Sequence, residues 1–100
     1  MIIMNELPED VPYITFDEAE AACRAVKRKD YDSVGATERA IAEKFNEIAG
    51  APDFTDTKGV TRWVYYTDES HDSYIEIAMG EVLYVNQSTG KKYLITSFVY

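Results

Sequence analysis

The C-terminal part of the chain, from Val60 to Tyr100, is crowded with tyrosines and β-branched residues and contains few helix formers. Side chains of these types suit the pleated, half-buried surface of a β-sheet. Two polar stretches, 68–72 and 86–91, interrupt this region and have the composition of hairpin loops. The region therefore predicts an antiparallel sheet on which the rest of the chain packs.

The segment from Tyr74 to Asn86 fits two secondary structures. Read with a period of two, it places Ile75 and Ile77 on one face of a strand, whereas a period of 3.6 gives a helical stripe. Isoleucine, valine and tyrosine prefer strands, and Gly80 disfavours a helix interior. We expect two short strands with a bulge or tight corner at Gly80, and a helix is the alternative.

A first helix is predicted from Phe16 onwards. Thr15 and Glu18 have the spacing of a capping box, in which each side chain accepts a hydrogen bond from the other residue's backbone N–H. The basic residues 27–29 suit the C-terminal end of a helix dipole, so we place them in the last turn. Cys23 lies on the apolar side of this helix, where a cysteine is usually a small, unreactive core residue.

A second helix is predicted between Ser33, a candidate N-cap, and Ala49. Gly35 weakens the first turn and leaves Thr37 as an alternative start. The polar segment from Pro52 to Gly59 then has the composition of a loop. Three apolar residues at helical spacing mark the buried stripe of this helix, namely Ile41, Phe45 and Ile48.

Together these elements predict an α+β fold, in which two N-terminal helices pack on an antiparallel sheet of three to five strands formed mainly by residues 60–100. One hundred residues is the usual size of one domain. We therefore expect a single domain over residues 1–100. Within it, we expect an extended lead-in over 1–14, a helical hairpin over 15–50 and the sheet after residue 60.

Eighteen acidic residues against ten basic ones give the chain a formal net charge of −8. Such a surface repels nucleic acid and anionic membranes, so neither is an expected partner. It attracts a positively charged protein surface, although acidity also serves solubility alone. The single cysteine forms no internal disulfide, and the sequence shows neither a signal peptide nor a membrane-spanning segment, which together predict a cytoplasmic protein.

No motif for catalysis or cofactor binding is recognisable in the sequence. The acidic residues around His71, from Asp68 to Asp72, have metal-ligand chemistry, but they lack the spacing of a calcium loop and a second histidine or cysteine. The serines lack a nucleophile elbow, and the five glycines are too scattered to cradle a phosphate. We therefore expect no metal, no cofactor and no enzymatic activity.

Tyrosines and acidic residues are the two features that stand out for binding. The sheet region carries more large rings than one layer of helices covers, so some rings are expected to face solvent and to contact a partner. The first twenty-three residues contain six acids and no base, and with the acidic loop at 68–72 they would imitate spaced phosphates. The predicted partner-binding residues are Glu9, Asp10, Asp17, Glu20, Asp68, Glu69, Asp72, Tyr66, Tyr74 and Tyr84.

In size, acidity and lack of motifs, the chain resembles the small inhibitors that phages and mobile elements direct against restriction or CRISPR defence, and the cytosolic immunity or antitoxin-type proteins that neutralise nucleases. The resemblance lies in size and composition and involves no residue motif. It implies a non-enzymatic DNA mimic that occludes the basic surface of a nucleic-acid-binding protein. For a phage-encoded protein the site of action would be the host cytoplasm.

Two further hypotheses stay open. One is a small-molecule-binding domain or minor enzyme with a pocket between helices and sheet, lined by tyrosines and Trp63 and using Glu76 or His71. The other is a homodimer formed through an edge strand, because the terminal segment from Lys92 to Tyr100 is expected to be exposed at the edge of the sheet.

Overall fold

A computed structural model describes residues 13–50, 54–57 and 60–98 of the chain. Within these ranges, two α-helices precede a five-stranded antiparallel sheet, which confirms the predicted α+β fold. The predicted lead-in lies outside the described residues except for Tyr13 and Ile14. The elements are α1 (Phe16–Ala25), α2 (Val34–Ala49), β1 (Phe54–Thr57), β2 (Val60–Tyr66), β3 (Ser73–Ala78), β4 (Glu81–Asn86) and β5 (Lys92–Ser97).

The capping box at the start of α1 is confirmed. Glu18 N–H donates to Thr15 Oγ1 at 3.1 Å, and Thr15 N–H donates to Glu18 Oε1 at 3.0 Å. The helix ends at Ala25, so the prediction that residues 27–29 occupy its last turn is wrong. Val26 instead has an extended backbone, which β-branched residues favour. Its side chain is buried in the core.

Helix α2 starts directly after Ser33, whose Oγ accepts a hydrogen bond from Ala36 N–H at 3.0 Å. Gly35 therefore does not delay the start. Ile41 and Phe45 are buried as predicted, whereas Ile48 is 45% exposed and its assignment to the buried stripe is wrong. The side chains that face the core are spaced four residues apart, at Ile41, Phe45 and Ala49. This row turns slowly around the helix, and Ile48 lies to one side of it.

The sheet is a meander in which each strand pairs antiparallel with the next, in the order β1-β2-β3-β4-β5. Strand β1 lies inside the segment predicted to be a loop, and that prediction is wrong for Phe54–Thr57. Phe54 pairs with Trp63, and Thr57 pairs with Val60. A short edge strand needs little apolar sequence of its own, because the hydrogen bonds of its neighbour hold it.

The ambiguous segment 74–86 is a β-hairpin, which confirms the strand interpretation. Strands β3 and β4 are joined by Met79 and Gly80, and Ala78 pairs with Glu81 across the turn. Both turn residues have positive φ, 56° and 80°, as a two-residue type I′ turn requires. Gly80 is therefore the predicted tight corner.

The central strands bury side chains on both faces of the sheet. On the face toward the helices, Tyr65 and Ile75 join the main core with Phe45 of α2, whose ring lies 5.1 Å from that of Tyr65. The opposite face carries a second buried cluster, with Tyr66 paired to Tyr74 across the strands. The buried members of this second cluster are Val64, Tyr66, Tyr74 and Val85, with Leu83 packed against them.

Candidate protein-binding surface

The chain before α1 is fastened to the end of β2. Ile14 N–H donates to the carbonyl oxygen of Tyr66 at 2.8 Å, and a hydrogen bond of 2.8 Å joins Tyr13 Oη to His71 Nε2. The His71 ring stacks on the Tyr66 ring, with centroids 4.2 Å apart and planes 3° apart. These contacts bring the N-terminus of α1 and the loop after β2 to the same end of the molecule.

The acidic loop, residues 68–72 after β2, is held by hydrogen bonds within the loop and from Gln87. Asp68 Oδ1 accepts from Ser70 N–H at 3.1 Å and from Ser70 Oγ at 2.6 Å. The carbonyl oxygen of His71 accepts from Gln87 Nε2 at 2.7 Å. His71 has a φ of 62°, a left-handed conformation that histidine adopts more readily than most residues. The loop therefore holds the Asp68 carboxylate in a defined position.

Asp72 ties the acidic loop to the hairpin loop between β4 and β5. Its Oδ1 accepts from Ser88 N–H at 3.0 Å, and its Oδ2 accepts from Ser88 Oγ at 2.9 Å. Gln87 N–H also donates to the Asp72 carbonyl oxygen at 2.7 Å. Both carboxylate oxygens of Asp72 are thus occupied, and this predicted partner-binding residue has a structural role.

Three of the predicted acidic residues are exposed and lie within a few positions of the Tyr13–His71 contact in the sequence. Asp17 lies in the first turn of α1, and Asp68 and Glu69 lie in the acidic loop. The ion pairs found among the described residues, Arg24–Glu20 and Arg62–Glu76, involve none of the three. We call Asp17, Asp68 and Glu69 the acidic end. Its negative charge is not neutralised by a neighbouring cation within the described ranges.

The remaining predicted acids differ from these three. Glu20 is half-exposed and pairs with Arg24 at 3.4 Å, one turn further along α1. An ion pair of this kind lowers the charge available to a partner. Glu9 and Asp10 lie outside the described residues.

The prediction that Tyr66 and Tyr74 face solvent is wrong. Their side chains are 4% and 8% exposed, because they pack on each other and on the rest of the second buried cluster. Burial raises the pKa of Tyr74, and the Glu76 carboxylate raises it further, while Arg62 opposes both. These rings stabilise the sheet. The prediction assumed that only the face under the helices is packed, whereas the opposite face also has a buried cluster.

Tyr84 belongs to an aromatic groove on the helix-facing side of the sheet. The Phe16 ring lies 5.4 Å from the ring of Tyr84 and 5.8 Å from that of Tyr93. Tyr93 is 58% exposed. The groove consists of two hollows that share Tyr84 and Tyr93: one of about 460 Å³ also lined by Phe16, and one of about 340 Å³ also lined by Lys91 and Lys92. Tyr93, Lys91 and Lys92 were not among the predicted partner-binding residues. The signal in the sequence was a tyrosine directly after two lysines at the start of the last strand.

Trp63 and Glu76, which the small-molecule or enzyme hypothesis placed in one pocket, lie on opposite faces of the sheet. Trp63 is buried in the main core, whereas Glu76 pairs across from Val64 on the opposite face and forms an ion pair with Arg62. One pocket between helices and sheet therefore cannot use both Trp63 and Glu76.

The Cys23 thiol is buried and difficult to ionise. Burial raises the pKa of the Cys23 thiol to about 12, with Glu20 adding to the effect and Arg24 opposing it. The thiol is buried, as predicted, and protonated at neutral pH. In residues 13–50, 54–57 and 60–98, no three His, Cys, Asp or Glu side chains form a group suited to hold a metal ion. No helix in those ranges has the length and apolarity needed to cross a membrane.

Comparisons with known proteins identify no relative. No protein-family model matches the chain. No curated protein and no solved structure matches it significantly.

Proposed function

We propose that the protein is a non-enzymatic, acidic protein-binding module that occludes a basic, nucleic-acid-binding surface of a partner protein. The observation that supports this proposal is the acidic end, where Asp17, Asp68 and Glu69 are exposed together on a framework held by the Tyr13–His71 hydrogen bond. The Asp68 carboxylate is held by Ser70 and loses little conformational freedom on binding, and the field of the three carboxylates attracts a basic surface.

The biological setting in this proposal is inhibition of a nucleic-acid-binding effector. An anti-restriction or anti-CRISPR protein of a phage or mobile element acts in this way, and so does an immunity protein against a nuclease. Each would work in the cytoplasm of the cell that contains the effector. The net charge of −8 agrees with a partner that normally binds phosphates.

The proposal is tested by comparing two variants with the same change in charge. The first neutralises the acidic end with Asp17→Asn, Asp68→Asn and Glu69→Gln. Asparagine at position 68 keeps the oxygen that accepts from Ser70, so the loop is retained. The control neutralises three exposed acids elsewhere, with Asp32→Asn, Glu43→Gln and Glu47→Gln.

Each protein is immobilised and used to capture proteins from a lysate of the source organism. We expect a basic nucleic-acid-binding protein to be retained by the wild type and by the control, lost from the acidic-end variant, and displaced by added duplex DNA. Equal retention by the two variants, or retention that DNA does not affect, would contradict the proposal.

A further inference from the structure

One edge of the sheet, strand β5, lies beside the aromatic groove. Strand β5 is last in the strand order and pairs only with β4 within the described residues. Asn86 N–H donates to the Lys91 carbonyl oxygen at 2.9 Å, which marks these two residues as a hydrogen-bonded pair. Because hydrogen-bonded and non-hydrogen-bonded pairs alternate along an antiparallel ladder, Lys92 and Leu94 direct their N–H and C=O groups away from β4.

The side chains along this edge are unusually exposed for large apolar residues. Tyr93 is 58% exposed and its neighbour Leu94 is 50% exposed. The ladder is regular over 92–94 and shifts register between Val82 and Leu83, which places a bulge at Ile95. A bulge bends a strand and interrupts pairing, so the straight, available edge is short.

Two lysines give this edge a charge opposite to that of the protein as a whole. Lys91 and Lys92 are exposed, line the groove, and form no ion pair with another described residue. The edge therefore favours an acidic occupant. An antiparallel pairing of β5 with β5 of a second copy about Tyr93 would place Lys92 opposite Leu94 and Lys91 opposite Ile95, and so would give neither lysine an acidic partner.

We propose that β5 binds an extended, acidic peptide segment of a partner protein as a sixth strand. The segment runs antiparallel to β5 and bonds to the outward N–H and C=O groups of Lys92 and Leu94. An apolar side chain opposite Tyr93 enters the aromatic groove, and the next two residues of the segment are acidic and face Lys92 and Lys91. This site goes beyond the proposed function, since it recognises negative charge and shares no residue with the acidic end.

The probe is a fluorescein-labelled peptide amide of sequence Thr-Val-Thr-Val-Phe-Glu-Glu, compared with a twin that ends in Lys-Lys. Binding is followed by fluorescence anisotropy at low salt. We expect the Glu-Glu peptide to bind roughly tenfold more tightly than the Lys-Lys peptide. Each glutamate forms an attractive pair with a lysine across the strands, and a lysine in its place is repelled. Equal affinity of the two peptides would overturn the proposal.

Two variants test whether the peptide occupies the edge of β5. Leu94→Pro removes an outward N–H without removing a ladder bond to β4, so it blocks strand addition while the sheet is retained. Lys91→Glu with Lys92→Glu reverses the charge, and Lys27→Glu with Lys29→Glu is the matched control at two other exposed lysines.

We expect the first two variants to weaken binding of the acidic peptide at least about tenfold and the control to change it less than about twofold. Folding of each variant is checked by its amide NMR spectrum. Unchanged binding by folded Leu94→Pro would contradict the proposal, and so would self-association of the wild type through residues 92–94, which would identify a second copy as the occupant.

Discussion

Tyr13 Oη and His71 Nε2 lie 2.8 Å apart, although 58 positions separate the two residues in the sequence. Together with the stacking of His71 on Tyr66, this bond places the start of α1 beside the acidic loop. Asp17 and Asp68 reach the same end of the molecule through this contact. The acidic end is therefore a product of tertiary structure rather than of one acidic stretch.

Tyr13→Phe removes the hydroxyl of this bond and keeps the ring. Because Tyr13 is partly exposed, we expect the free energy of unfolding to fall by only about 0.5 kcal/mol. Amide exchange in residues 68–72 should become faster, since the loop loses an anchor. Urea unfolding and hydrogen exchange measure the two effects. Tyr93→Phe is the control, and unchanged exchange in Tyr13→Phe would show that the bond does not hold the loop.

The buried carboxylate of Glu38 accepts a hydrogen bond from Gly80 N–H at 2.8 Å and so connects α2 to the β3–β4 turn. Glu38→Ala leaves this buried N–H without its acceptor, and we expect a loss of about 1–3 kcal/mol in the free energy of unfolding. Glu38→Gln keeps an acceptor oxygen and should lose less. Urea unfolding of both variants measures the difference, and equal losses would be inconsistent with a role for this hydrogen bond.

Met79 occupies a left-handed position in the β3–β4 turn, with a φ of 56°, and its side chain is exposed. Asparagine tolerates this conformation much better than methionine, and Asn-Gly is the preferred pair in a type I′ turn. We expect Met79→Asn to stabilise the protein by roughly 1 kcal/mol and to raise Tm by about 4–8 °C. Gly80→Ala should act in the opposite direction. Thermal unfolding followed by circular dichroism gives both shifts, and a lowered Tm for Met79→Asn would refute the turn assignment.

The Cys23 thiol has a higher pKa in the folded protein, about 12, than its ordinary value of 9.0. Above pH 9 the unfolded chain therefore releases a proton that the folded protein keeps, and the free energy of unfolding falls as pH rises from about 9 toward 12. Cys23→Ala should show a shallower decline over this range and the same pH dependence as wild type between pH 6 and about 8. Urea unfolding at a series of pH values measures both slopes, and parallel profiles would exclude this linkage.

The elements that the sequence predicts well are those specified by local chemistry. Thr15 with Glu18 and Ser33 with Ala36 mark helix starts through hydrogen bonds within one turn. Gly80 marks a turn because its positive φ favours glycine. Such signals require no knowledge of distant residues.

The features that the sequence predicts poorly depend on tertiary contacts. Tyr66 and Tyr74 are buried because both faces of the sheet are packed, which no single strand reveals. Strand β1 forms because β2 lies beside it. The position of β5 at the edge was expected for the terminal segment, but the contact of Tyr93 with Phe16 depends on how α1 packs on the sheet.

The most direct test of the central claim is the salt dependence of binding to the partner that the wild type captures. We expect the dissociation constant, measured by isothermal titration calorimetry, to rise steeply as salt increases from about 50 to 200 mM, because exposed charge pairs are screened. The variant carrying Asp17→Asn, Asp68→Asn and Glu69→Gln should bind at least about tenfold more weakly at low salt, with a smaller dependence on salt. Affinity that is insensitive to salt, or equal in this variant and the wild type, would contradict charge-based occlusion by the acidic end.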